Sequence, residues 1–113
     1  MNKQTLLFLA FLGITSTTAL TGCAGLLQSA SVTEAYKHYN RENYDRTLEI
    51  IARAENAKPV AAELRAELTF LKAQTYEQLG QQEKAIGLYE YLIAEHQDSQ
   101  YAYLAKKKLE SSS

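Results

Sequence analysis

From Ser31 to Leu109 the chain carries a single kind of structural signal. Apolar residues recur at helical spacing, no segment alternates apolar and polar over a strand's length, and glycines are few. The pattern predicts an all-α domain of about five helices. Ser31-Val32-Thr33-Glu34 reads as a capping box, in which the serine covers an orphan amide and the glutamate reaches back to the cap, opening a first helix that runs to about Arg41. Asn43 is the candidate cap of a second helix, Tyr44 to Asn56. Pro59 ends that helix and suits the first turn of a third, where its missing amide costs nothing. Leu64, Leu68, Leu71 and Leu79 place an apolar face on the third helix, which Gly80 stops. A fourth helix, Gln82 to Glu95, carries Ala85, Ile86, Leu88, Tyr89, Leu92 and Ile93. Asp98 or Ser99 caps a last one ending near Leu109, before a short tail at 111–113.

Two of these helix pairs repeat each other. Glu42-Asn43-Tyr44-Asp45-Arg46-Thr47-Leu48 aligns with Gly80-Gln81-Gln82-Glu83-Lys84-Ala85-Ile86, at an offset of 38 residues. Each copy follows a helix with a small residue and an aromatic at matching places, Ala35 with His38 and Tyr39, then Ala73 with Tyr76. The unit resembles the tetratricopeptide repeat, a helix-turn-helix of about 34 residues that stacks into a superhelix. The four extra residues add about one helical turn and leave the packing phase nearly unchanged. The resemblance, which covers about residues 33 to 109, implies an array of antiparallel helix pairs. It makes Ala35, Ala54, Ala73 and Ala85 close-contact positions, and Tyr44, Tyr76, Leu48 and Ile86 core positions. The chain departs from the family pattern by lacking the signature tryptophan, by Glu42 in place of a turn glycine, by Thr47 in place of alanine, and by the absence of a proline after the second copy.

The segment His96-Gln97-Asp98-Ser99-Gln100-Tyr101-Ala102, continuing through Lys106 to Leu109, resembles a junction found in periplasmic repeat scaffolds such as the barrel-assembly lipoprotein and the Tol-associated cell-division coordinator. In this repeat class the first helix of each pair lines the concave face. The resemblance therefore implies Tyr36, Tyr39, Phe70, Gln74 and Glu77 as candidate partner contacts. Eight tyrosines supply side chains suited to both core and interface.

The N-terminal segment is of another kind. Lys3 supplies a positive start, Leu6 to Ile14 form an apolar stretch, and Leu20-Thr21-Gly22-Cys23 closes it with the only cysteine of the chain. This resembles a bacterial lipoprotein signal with its lipobox. It implies removal of 1–22, acylation of Cys23, a tether over 23–30, a helical domain over 31–110 and a tail over 111–113. Nine apolar residues fall short of the about 20 that a bilayer-spanning helix needs. A lone cysteine excludes a disulfide framework. Ala24 lacks the acidic side chain that favours inner-membrane retention, so the expected site is the periplasmic face of the outer membrane.

Removing 22 of 113 residues leaves 91, enough for one small domain. The formal charge of −1 gives no electrostatic case for nucleic acid. His38 and His96 have no ligand-spaced carboxylate or cysteine, and no nucleophile elbow or phosphate loop is present, so neither catalysis, a metal nor a cofactor is expected. Lys106-Lys107-Lys108 near the end of the last helix suits its dipole and also suits an anionic contact. The expected function is a lipid-anchored adaptor that holds a protein partner. The alternative is an envelope tether that binds peptidoglycan or self-associates as a homodimer. Cys23→Ser is expected to leave the precursor uncut and without acyl chains. Labelling cells with a fatty-acid analogue checks this, and equal label in the mutant and the parent would overturn the lipid assignment.

Overall fold

The computed structural model describes the backbone of residues 19–57 and 60–113, and side chains from Ala30 onward. Five helices make up these residues: α1 Ala19–Asn40, α2 Tyr44–Asn56, α3 Ala62–Gln78, α4 Gln82–Glu95 and α5 Gln100–Ser111. No strand occurs among them, so the domain is all-α as expected. Residues 1–18, which hold the apolar stretch of the leader, and Pro59 lie outside the described residues. No helix among the described residues is long and apolar enough to cross a membrane.

Residues 1–30 and 31–113 form two separate units. In the first, the backbone from Ala19 to Ala30 is helical, and Cys23 lies within it. The helix expected to open at Ser31 therefore starts earlier. Apart from Gly22 and Gly25, residues 19–30 contain nothing that breaks a helix, and no proline interrupts them. Glu34 does not serve as a reach-back cap but bonds forward, to His38 at 3.1 Å and Lys37 at 3.5 Å.

The turns of the second unit explain its repeat. After α1, the amide of Glu42 donates to the Tyr39 carbonyl at 3.0 Å, and that of Asn43 to the His38 carbonyl at 2.9 Å. After α3 the same pair recurs at the same spacing, Gly80 to Glu77 at 3.0 Å and Gln81 to Tyr76 at 2.9 Å. Both are Schellman closures, which need a left-handed residue just past the helix. Glu42 (φ 61°) and Gly80 (φ 75°) fill that position. The next helices then begin at Tyr44 and Gln82, 38 residues apart, with the bounds expected from the cap and the apolar spacing. Asn43 precedes α2 but makes no side-chain cap. Ser99 does cap α5, its hydroxyl accepting from the Tyr101 amide at 3.2 Å. At the far end Ser111 completes α5, and its hydroxyl donates to the Lys108 carbonyl at 2.9 Å.

Small residues sit where the pairs close. Ala35, Ala73 and Ala85 are fully buried and Ala54 nearly so. Thr47, the counterpart of Ala85, is buried as well, and its hydroxyl is satisfied within its own helix by the Asn43 carbonyl at 2.9 Å. That local bond lets a hydroxyl occupy an alanine position without an unpaired polar atom. Leu48 and Ile86 are not core residues: Leu48 is half-buried and Ile86 is 38% exposed. The buried positions one helical step further along are Ile51 and Tyr89, so the packed face is turned away from the one the alignment suggested.

Two clusters compose the core of this unit. One joins Ala35, Ile50, Ile51 and Ala54 of α1 and α2 to Leu68 and Leu71 of α3. The other joins Ala66, Phe70 and Ala73 of α3 to Ala85, Tyr89 and Leu92 of α4 and Ala105 of α5. α3 is thus buried on two sides. Thr69 and Thr75, buried with it, donate to the carbonyls one turn back, Arg65 and Leu71, each at 2.7 Å.

The paired turns give a directional test. A non-glycine residue in the left-handed region costs roughly 1–2 kcal/mol, partly offset by the greater freedom a glycine loses on folding. Glu42→Gly is therefore expected to raise stability by about 0.5–1 kcal/mol. Gly80→Ala is expected to lower it by about 1–2 kcal/mol through the backbone alone, since nothing lies within 4 Å of the added methyl. Thermal melts of the two variants check both signs.

Candidate partner-binding face

α1 and α3 present the residues that the resemblance implied as contacts, and α5 packs beside them. Helical spacing divides α3 into four strips. Its two buried sides carry Leu64, Leu68 and Leu71, and Ala66, Phe70 and Ala73. Between them lie Glu63, Glu67 and Gln74 on one edge and Arg65, Thr69, Lys72 and Tyr76 on the other. The first edge faces α1 and α5 and holds the candidate site.

Each glutamate on or beside this edge is tied to a neighbouring helix. The Ser99 hydroxyl donates to Glu63 Oε1 at 3.3 Å, the Tyr36 hydroxyl to Glu67 Oε1 at 3.3 Å, and Lys108 Nζ to Glu77 Oε2 at 3.2 Å. The Tyr101 hydroxyl faces the same Glu67 carboxylate, so one side chain of α3 lies between a phenol from α1 and a phenol from α5. Burial, and then the charge of Glu67, holds both phenols above the ordinary tyrosine range. Glu77 also lies near Tyr89, a buried hydroxyl that makes no hydrogen bond within 3.5 Å; burial followed by the Glu77 charge raises that phenol too.

The five candidate contacts are therefore not equivalent. Phe70 is only 7% exposed, with its ring against Tyr89 and Tyr101, each at 5.7 Å between centroids, so it is chiefly a core residue. Tyr39 packs edge-on against Tyr44 at 5.6 Å and borders the α1–α2 core. Tyr36 and Glu77 act as links between helices. Gln74 alone is half-exposed with no such link, and it lines an open groove of about 610 Å³ with Phe70, Leu104, Lys107, Lys108 and Ser111. The structure thus joins Phe70 and Gln74 to α5 residues in the groove, with Glu77 at the edge through Lys108, while Tyr36 and Tyr39 do not line it. Glu67 was not among the candidates, because its pairing with Glu63 at helical spacing reads from sequence as an ordinary solvated helix face, although it also stands seven residues from Gln74 on the same edge.

On the opposite edge of α3, Glu55, Arg65, Thr69, Lys72, Leu88 and Tyr91 line a second depression, crossed by a Lys72–Glu55 ion pair at 3.4 Å. The two histidines lie apart, His96 edge-on to Tyr91 at 5.6 Å and His38 against Glu34 at 3.1 Å, so that a carboxylate one turn back does reach His38, contrary to the expectation from sequence. Among the described residues no three metal-ligating side chains come together. No family model, curated protein or solved structure matches the chain.

The linked phenols carry a pH dependence. Their folded pKa lies above the unfolded value near 10, so the unfolded chain gives up these protons first. Their contribution is fully present below about pH 10 and is lost as pH rises through the folded pKa. Urea midpoints measured from neutrality into this alkaline range are expected to fall, and to fall less in Tyr36→Phe. An equal alkaline loss in that variant would mean that burial and the Glu67 charge do not hold the Tyr36 phenol up.

Proposed function

We propose that the chain is a lipid-anchored adaptor of the tetratricopeptide type, fixed by acyl chains on Cys23 to the periplasmic face of a bacterial outer membrane. In this reading it holds a protein partner and performs no catalysis. The observation that carries it is the open groove between α3 and α5, where Gln74, Leu104, Lys107, Lys108 and Ser111 surround the edge of Phe70 on a frame braced by the Glu63, Glu67 and Glu77 links. An apolar floor with a few polar groups around it is how binding clefts divide affinity from orientation. The matching turns and the buried alanines support the repeat type. The sequence from Lys3 to Cys23 supports the anchor.

The groove is tested by capture from solubilised envelopes. The parent chain is expected to retain one stoichiometric client, and Gln74→Arg with Leu104→Asp to release it, while Ile86→Asp on the outside of α4 leaves capture intact. Sedimentation with purified cell wall, unaffected by the groove substitutions, would favour the tethering alternative instead.

A further inference from the structure

α5 closes the array and leaves one side without a neighbour. Ala102 and Ala105 face inward, whereas Tyr103 is 60% exposed, the most exposed large apolar side chain among the described residues. Lys106 and Lys107 are exposed beside it. Lys107 lies over the Tyr103 ring at 5.3 Å and its pKa is raised chiefly by that tyrosine, while Lys108 is committed to Glu77. The charge of the domain divides along the same line. Residues 31–99 hold twelve acidic and eight basic side chains, a balance of −4, while on the outer side of α5, with Lys108 committed to Glu77, Lys106 and Lys107 against Glu110 leave +1. An anionic surface therefore attracts this one side and repels the rest, which orients the whole domain.

We infer that the outer face of α5, formed by Tyr103, Lys106 and Lys107, is the side the domain lays against an anionic lipid surface. A ring with a polar tip between lysines is the composition that settles at the headgroup level, and each lysine near such a surface adds attraction that falls off within a Debye length. A second copy fits this face less well, because symmetric pairing would bring two faces of the same net positive charge together. The face adjoins the client groove, since Lys107 belongs to both. The inference rests on the anchored reading only for the proximity of the membrane.

The chain has no tryptophan, so Tyr103→Trp places a single reporter at an exposed position. The full lipidated chain is reconstituted into vesicles of phosphatidylcholine, with or without phosphatidylglycerol and with or without chain-brominated lipid. On phosphatidylglycerol vesicles the emission of the reporter is expected to shift to the blue and to be quenched by the brominated lipid. At about 1 M salt, where screening reaches about 3 Å, both effects are expected to disappear. Lys106→Gln and Lys107→Gln are each expected to lower the docked-to-undocked ratio about fivefold. Equal quenching on neutral and anionic vesicles, or no response to the lysine substitutions, would overturn the inference. So would a blue shift that grows with protein density without quenching, which would mean that a second copy covers the face. Flotation with neutral vesicles reads the anchor separately. A chain that fails there lacks its lipid, and the reporter on anionic vesicles still decides the role of α5.

Discussion

α3 is buried on two opposite sides, and that double burial sets where every other helix of the 31–113 unit can sit. Leu64, Leu68 and Leu71 face α1 and α2, while Ala66, Phe70 and Ala73 face α4 and α5. Burial of a leucine or phenylalanine side chain contributes roughly 1.5–3 kcal/mol, so a helix with apolar groups on both sides holds its neighbours far more strongly than any one ion pair. The remaining two edges are where polarity is tolerated. One carries the glutamates that reach α1 and α5, and the other carries Arg65 and Lys72, the latter paired with Glu55 of α2. Even inside, Thr69 and Thr75 keep their hydroxyls satisfied by bonding one turn back, so polar atoms enter the core without partners from another helix.

The frame and the groove use different chemistry. Tyr36, Glu63, Glu67 and Glu77 are occupied in holding helices together, and this is why residues that look like contacts in a list of tyrosines and acids are in fact braces. The groups around the groove that hold no two helices together are fewer and more varied: an amide at Gln74, an aliphatic side chain at Leu104, an ammonium at Lys107 over the Tyr103 ring and a Ser111 hydroxyl bonded within its own helix. Such a set sits on rigid helices, so its geometry does not depend on a loop.

The bounds of α2 and α4 were readable from sequence because the turn before each one is a local device, six residues closed by two hydrogen bonds, and it recurs at a fixed offset. The buried face was harder. Leu48 and Ile86 align with each other, yet the helix phase that buries Thr47 and Ala85 carries Ile51 and Tyr89 inward instead. α3 hid its double role because a helix apolar on two sides shows no single stripe, and its leucines mark only one of them. Its start also fell short of expectation, with Ala61 rather than a proline leading into Ala62. For the site, the candidate residues on α3 were visible through helix spacing. What joins them to α5 was not, since Glu77 to Lys108 and Tyr36 to Glu67 each span 31 residues. No local pattern encodes such a meeting.

The division of the core into two clusters that share only α3 has a consequence for how the fold comes apart. In a quasi-linear array each unit answers mainly to its neighbour, and opening proceeds in blocks. Losing α1 and α2 together would strip one side of α3 and leave the other still packed against α4 and α5. The stripe of Leu64, Leu68 and Leu71 laid bare in that state is shaped to receive an α1–α2 hairpin, and the hairpin of another copy fits it as well as the original. The architecture thus contains a built-in route to exchange of its first helix pair between molecules.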